Sequence, residues 1–252
     1  MFPLRDDNPT ELTPFVTMAL IAANFVIWLV VQGGGADPQA LQASVCAFGT
    51  IPGELTGSAV PPGAGQGLPC VPGGLTWSTL GTSMFFHGSW MHLIGNMWFL
   101  WIFGNNIEDS MGHLRYLGFY LLTGAAAALA HIYSGPGSWI PTVGASGAIS
   151  AVMGAYLLLY PRVRIHTLFI FVIIVRVFPI PAWIILGQWI AIQVLAGATT
   201  TAGGAGVAFW AHIGGFVAGL LLVRPFRMRR LVEAKRARVK LRPEEIPHRG
   251  WW

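Results

Sequence analysis

Four side chains in apolar surroundings carry the chemistry of acyl transfer: Ser146, His212, His92 and Asn96. A serine hydroxyl attacks a carbonyl only when a base takes its proton, and an imidazole titrating near neutral pH suits that task. The tetrahedral intermediate then needs hydrogen-bond donors for its oxyanion. His92 and Asn96 stand at positions i and i+4, so on a helix they share a face and point the same way. The backbone N–H of Ser146, at a helix N-terminus, adds a third donor. Glu108 and Asp109 fall at the other end of the apolar stretch that holds His92, so no carboxylate is near enough to join Ser146 and His212. The expected machinery is a Ser-His dyad, not a triad.

The elements that position these groups follow from composition. Of 252 residues, 54% are apolar and only 10% charged, whereas a soluble domain carries about a quarter charged residues. Most of the surface must therefore face lipid. Six stretches have about the 20 apolar residues that a spanning helix needs: 14–32, 84–104, 114–133, 144–160, 180–198 and 207–223. Six crossings return both termini to one side. Arg5, Arg115, Arg162, Arg164 and Arg176 all fall on that side, while the intervening loops 33–83, 134–143 and 199–206 hold no Lys or Arg. Basic residues collect on the cytosolic side of a membrane. The expected fold is an all-α membrane protein, a six-transmembrane-helix bundle with N- and C-termini cytosolic.

This divides the chain into a cytosolic N-terminus (1–13), a membrane domain (14–224) and a basic cytosolic tail (225–252). The net charge of +5 is concentrated in and just before the tail, at Arg224, Arg227, Arg229, Arg230, Lys235, Arg236, Arg238, Lys240, Arg242 and Arg249. That placement suits anionic lipid headgroups and argues against nucleic acid as a partner. Residues 165–175 form an apolar run too short to cross, so 161–179 reads as a re-entrant or interfacial hairpin ended by Pro179 and Pro181. The long external loop 33–83 is rich in Gly and Pro, including Pro61, Pro62, Gly63, Ala64 and Gly65. It contains the chain's two cysteines, Cys46 and Cys70, which on the oxidising side of a membrane suggest a disulfide, with free thiols as the other reading. Without nearby histidines they make a poor zinc site, so neither metal nor cofactor is expected. Asp6, Asp7 and Glu11 precede the first span where a signal or transit peptide would avoid acids. The expected location is the plasma membrane, multi-pass, with a bacterial source as the default.

Spans two, four and six run inward from the same side, which allows their depths to be compared. Ser146 lies in the first turn of its span, His212 about five residues in and His92 about eight, depths that at 1.5 Å per residue can share one layer. Other polar residues within spans are Asn24, Ser150, Gln188 and Gln193, with His131 near the outer end of span three. In a chain with 32 glycines, Gly144-Ala145-Ser146-Gly147 is weak evidence by itself. Ser146, Ser150 and Gly154, like Ala211, Gly215 and Gly219, also recur every four residues, the pattern of closely packed helices. The two readings are compatible, because close packing of spans four and six is what brings His212 within reach of Ser146.

Taken together, these residues resemble the rhomboid intramembrane proteases. The resemblance rests on His87-Gly88-Ser89-Trp90-Met91-His92-Leu93-Ile94-Gly95-Asn96, Gly144-Ala145-Ser146-Gly147 and Ala211-His212-Ile213-Gly214-Gly215 with Gly219, in that order, and on Glu108 at the inner end of span two. It implies a six-helix core with a water-filled cavity in which Ser146 and His212 cleave transmembrane segments of single-pass membrane proteins. His92 and Asn96, with Gly144 beside them, would bind the oxyanion and substrate. Gly215, Gly219 and Glu108 would be structural, and span five near Trp183 and Trp189 would be similar to the family's lateral gate. Many rhomboids also carry a Trp-Arg pair in the first external loop, and this loop has no arginine. An inactive rhomboid-like binder of transmembrane helices is the alternative, but such proteins usually lack the serine or the histidine. A small-solute transporter would call for an intramembrane ion pair or an inverted repeat.

Overall fold

The computed structural model describes residues 2–60, 70, 77–171, 174–199 and 207–237. The stretch 61–65, the loop residues 200–206 and the tail residues Arg238, Lys240, Arg242 and Arg249 lie outside them. The chain opens with strand β1 (Phe2–Asp6) and helix α1 (Phe15–Val26), which widens into a π-type turn at Ile27–Val31. Three short helices follow: α2 (Pro38–Phe48), α3 (Pro52–Thr56) and α4 (Thr79–Thr82). Then come α5 (Trp90–Met111), α6 (His113–Ser134) and α7 (Ser146–Leu159). Strands β2 (Arg164–Phe171) and β3 (Ile174–Pro181) lead into α8 (Ala182–Thr199), α9 (Phe209–Phe226) and α10 (Arg229–Arg236). Helices α6, α8 and α9 are long and apolar enough to cross a membrane, and α1 and α7 are shorter apolar helices.

Helix α7 is the centre of the packing. Its residues from Gly147 to Tyr156 are all buried, as expected of a helix that is apolar all round. Small residues let α9 lie directly on it: a Cβ added to Gly219 would overlap the Ala151 carbonyl, and one added to Gly215 would overlap the Gly147 carbonyl. From α7 the reverse holds at Gly154, where a Cβ would strike the Phe216 carbonyl. With backbones touching along this seam, the register between the two helices has no slack. Ser146 and His212 occupy its next positions.

Helix α5 starts later than the hydropathy boundary of 84. Ser89 has extended backbone and its hydroxyl accepts the His92 N–H at 3.2 Å, an N-cap that opens the helix at Trp90. The residues before it form a tight turn, Ser83–Phe85. His92 is consequently in the first turn of α5 and not about eight residues deep. At the far end, Gly112 with φ +76° ends the helix and Glu108 is enclosed. The Glu108 carboxylate accepts from Val16 N, Thr17 N and the Thr17 hydroxyl at 2.9, 2.8 and 2.7 Å, and contacts His113 Nδ1 at 2.6 Å. A carboxylate placed on the free N–H groups of α1 satisfies both partners.

The all-α expectation needs correcting. β1, β2 and β3 form a three-stranded antiparallel sheet in that order, with Leu168 opposite both Phe2 and Val177. The run 165–175 is rich in β-branched and aromatic residues, a composition that favours strand over helix. The N-terminal segment is thus partly a strand, tied down by Trp98 Nε1 donating to the Pro3 carbonyl at 2.7 Å. In the loop 33–83, α2, α3 and α4 give the described part a helical framework, and Cys46 is bonded to Cys70. The start of the basic tail is folded too: Leu231 and Val232 of α10 are buried, and Lys235 pairs with Asp109 at 2.7 Å. Lys235 is therefore withdrawn from the set of charges available to headgroups.

Candidate functional site

Ser146 is the first residue of α7 and His212 the fourth of α9, so both lie in first turns at the same end of the seam. His212 Nε2 is 2.8 Å from Ser146 Oγ, a hydrogen-bond distance. The N–H groups of Ser146 and Gly147 have no acceptors within their own helix, because first-turn donors never do. Gly144 precedes them with φ +127°, a conformation closed to other residues without strain. Its N–H donates to the Ser83 carbonyl at 2.8 Å, which anchors the strap leading into α7.

His92 and Asn96 face this strap from α5. A Cβ on Gly144 would come within 2.7 Å of His92 Nε2 and 3.7 Å of Asn96 Nδ2, so only glycine leaves room for the backbone here. The Gly88 N–H lies 3.5 Å from His92 Nδ1, a contact that favours the proton on Nε2, the nitrogen turned toward Gly144. His92 also packs edge-on against His87, ring centroids 5.0 Å apart. Asn96 is buried, and its Nδ2 makes no hydrogen bond among the described residues. Asn96 is part of the cavity lining, where such a donor is available to an acceptor that enters. Ser146, His212, His92 and Asn96 line a cavity of about 760 Å³ that also includes Met153, His131 and Trp189.

Gln193 is the residue that sequence reasoning left without a partner. Its Oε1 is 2.8 Å from His212 Nδ1, on the opposite side of the imidazole from Ser146. The available signal was its spacing: Gln193 stands four residues after Trp189, on the same face of α8. Trp189 flanks the same imidazole, ring centroids 5.7 Å apart. Trp183 is not brought to the site. It is the second residue of α8, exposed beside the hairpin with its N–H on the Pro161 carbonyl, at the helix end remote from His212. Gln188 and Asn24 also stay outside the cavity lining, and Asn24 donates to its own helix at the Leu20 carbonyl. His131 borders the cavity through a 2.9 Å contact with the Thr142 hydroxyl. Among the described residues, no three His, Cys, Asp or Glu side chains cluster as metal ligands.

Residues 75–229 match the family model described as Rhomboid domain. The chain belongs to the rhomboid family. Among similar proteins is "Rhomboid protein 1, mitochondrial" of Saccharomyces cerevisiae, 29% identical over 61% of this chain and 45% of the yeast protein. "Rhomboid-like protein 11, chloroplastic" of Arabidopsis thaliana is 29% identical over 58% of this chain and 51% of its own length. "Rhomboid-like protease 5" of Toxoplasma gondii is 31% identical over 55% of this chain and 15% of its own. The rhomboid chain thus spans about half or less of the relatives it matches. These relatives correct the expectation of a bacterial plasma membrane, because the yeast and plant proteins are named as mitochondrial and chloroplastic and the likeness points to organellar membranes. The acidic N-terminal residues on which that expectation leaned have another role here: Asp6 and Asp7 bond Tyr156 and His166.

Proposed function

We propose that this rhomboid protein is an intramembrane serine endopeptidase that hydrolyses peptide bonds in or near the transmembrane segments of single-pass membrane proteins. The observation that carries the reading is the 2.8 Å contact of His212 Nε2 with Ser146 Oγ, beside the unused Asn96 donor. As Ser146 Oγ attacks the carbonyl carbon, its proton passes to His212 Nε2. Asn96 Nδ2, His92 Nε2 and the Ser146 N–H receive the oxyanion. The carbon–nitrogen bond then breaks, and His212 gives its proton to the leaving amine. Water attacks the acyl ester in the second half-reaction, delivering a proton through His212 back to Ser146.

The bilayer is the medium in which this rhomboid works. Six crossings, by α1, α5, α6, α7, α8 and α9, with both termini on the side of the basic residues, fit the distribution of Lys and Arg. The cavity then opens at the opposite side, which supplies water to a reaction that consumes it. Trp189, on α8 beside His212, is the part of the gate reading that the geometry favours.

The test is incubation of the purified protein with a substrate bearing one transmembrane helix, alongside Ser146→Ala and His212→Ala. Cleavage by the parent and none by either variant is the expected result. Variants that cut as well as the parent sink the proposal. Labelling by a fluorophosphonate, dependent on Ser146, gives a second reading of the same nucleophile.

A further inference from the structure

The dyad has a neighbour on a third helix. Gln193, 8% exposed, places Oε1 2.8 Å from His212 Nδ1 while its Nε2 is 3.4 Å from the Trp189 carbonyl. A backbone carbonyl only accepts hydrogen bonds, so its contact with the amide NH₂ turns the amide oxygen toward the imidazole. An oxygen there requires that Nδ1 carry the ring proton, and this leaves the lone pair on Nε2, the nitrogen 2.8 Å from Ser146 Oγ. Were the amide reversed, Nδ1 would be the acceptor and Nε2 would carry the hydrogen, a tautomer unable to take the serine proton. We infer that Gln193 is the positioning residue of the dyad, selecting the His212 tautomer through the chain Trp189 carbonyl, Gln193 amide, imidazole, Ser146 hydroxyl. This deepens the protease reading and rests on it.

The local packing supports the assignment. Gly197, one turn after Gln193, admits the neighbouring helix closely: a Cβ there would lie 3.3 Å from Phe209 Cβ and 3.4 Å from Ile213 Cδ1. Trp189 closes one side of the ring. The imidazole thus bridges α7 and α8 through its two ring nitrogens. A neutral amide also suits the depth. It orients the histidine as a carboxylate does in a triad, without burying an ion in an apolar layer.

Two isosteric changes in the full chain separate hydrogen bonding from shape. Gln193→Met keeps the length and removes the acceptor, while Gln193→Glu keeps an acceptor. In detergent or bicelles, the Met variant is expected to lose about 10- to 100-fold in kcat and in the rate of fluorophosphonate labelling of Ser146, with KM within about twofold. The Glu variant stays within about fivefold of the parent in both. A Met variant with parental kcat and labelling overturns the inference, and so does an equal loss in both variants, which would mean that only packing matters. If the Met variant does not fold, ¹⁵N shifts of the parent's histidines, with His212 assigned through His212→Ala, decide the matter: protonated Nδ1 supports the role and protonated Nε2 overturns it. Should Ser146→Ala and His212→Ala cleave like the parent, the protease reading fails; the ¹⁵N result still judges the tautomer.

Discussion

At its first turn α5 holds His92, with Asn96 one turn on, beside Ser146 and His212; at its last turn it holds Glu108 and Asp109 beside Thr17, His113 and Lys235. Both clusters are polar and at least partly buried, yet they are built on different rules. At the second, every carboxylate is consumed: Glu108 is met by four groups of the α1 and α6 starts, and Asp109 by the Glu11 and Leu12 N–H groups and Lys235. At the first, the described cavity wall holds no Asp, Glu, Lys or Arg, and Asn96 Nδ2 has no partner among the described residues. A charge buried without partners costs far more than a dipole in the same place. The charged end is therefore filled and holds the bundle, while the end without carboxylates leaves a donor on the cavity wall, where the proposed reaction would use it.

If this division is sound, damage at the two ends has opposite signatures. The largest effect belongs to Ser146→Ala and His212→Ala, each expected to lower kcat by about 10³-fold or more, because the two act as one unit. Their thermal midpoints stay near the parent's. Next is Asn96→Ala. Loss of one oxyanion donor costs about 10²- to 10³-fold in kcat, and because Nδ2 has no hydrogen-bond partner among the described residues, stability is expected to hold or rise slightly. An Asn96→Ala variant that unfolds while its folded fraction cuts normally would erase the distinction. At the other end Glu108→Ala strands the Thr17 hydroxyl and the α1 N–H groups, and is expected to cost about 3 kcal/mol of stability. Molecules that remain folded should keep kcat within about threefold. Thermal unfolding followed by tryptophan fluorescence, paired with cleavage rates per folded molecule, reads both signatures.

The two ends also differed in how far the sequence exposed them. Ser146, His212, His92 and Asn96 stood out because a polar residue inside an apolar run is conspicuous, and the four-residue rhythm of Gly215 and Gly219 disclosed the close seam with α7. The cap at Ser89 was less visible: hydropathy runs smoothly through 84–104, so only backbone geometry reveals that α5 begins at Trp90 and that His92 sits in its first turn. Gln193 was seen as polar, but pairing it with His212 requires knowing how α8 and α9 are rotated. The sheet was hidden for another reason. An apolar run of β-branched and aromatic residues suits a strand and a short membrane segment alike, and its pairing with Phe2–Asp6 is a contact between opposite ends of the chain. Lys235, read as one more charge of a lipid-facing tail, is buried against Asp109. Burial draws its ammonium below the usual lysine range, while Asp109 holds it up.

The smallest effect tests the rule where it is only partly obeyed. Asp6 belongs to the charged end, but its Oδ2 accepts from neutral groups, the Tyr156 hydroxyl at 2.5 Å and Asn106 Nδ2 at 2.8 Å. Lys235 bonds Asn106 and Asp109 instead. Burial raises the Asp6 carboxyl from 3.8 to about 6, against the Tyr156 hydrogen bond and the nearby Lys235 charge. A carboxyl raised on folding binds its proton more tightly in the folded state. Its contribution to stability is thus fully present below the unfolded pKa, near 4, and is lost as pH climbs through about 6. Asp6→Asn cannot ionise and has no such loss. Measured against the parent, its melting temperature should rise between pH 4 and pH 7, by about 2 °C or less because the group is only partly buried and water still screens it. A difference that stays flat across this range would mean that Asp6 is as well compensated as Glu108, and one that falls would mean that its charge is favoured by partners beyond Tyr156 and Asn106.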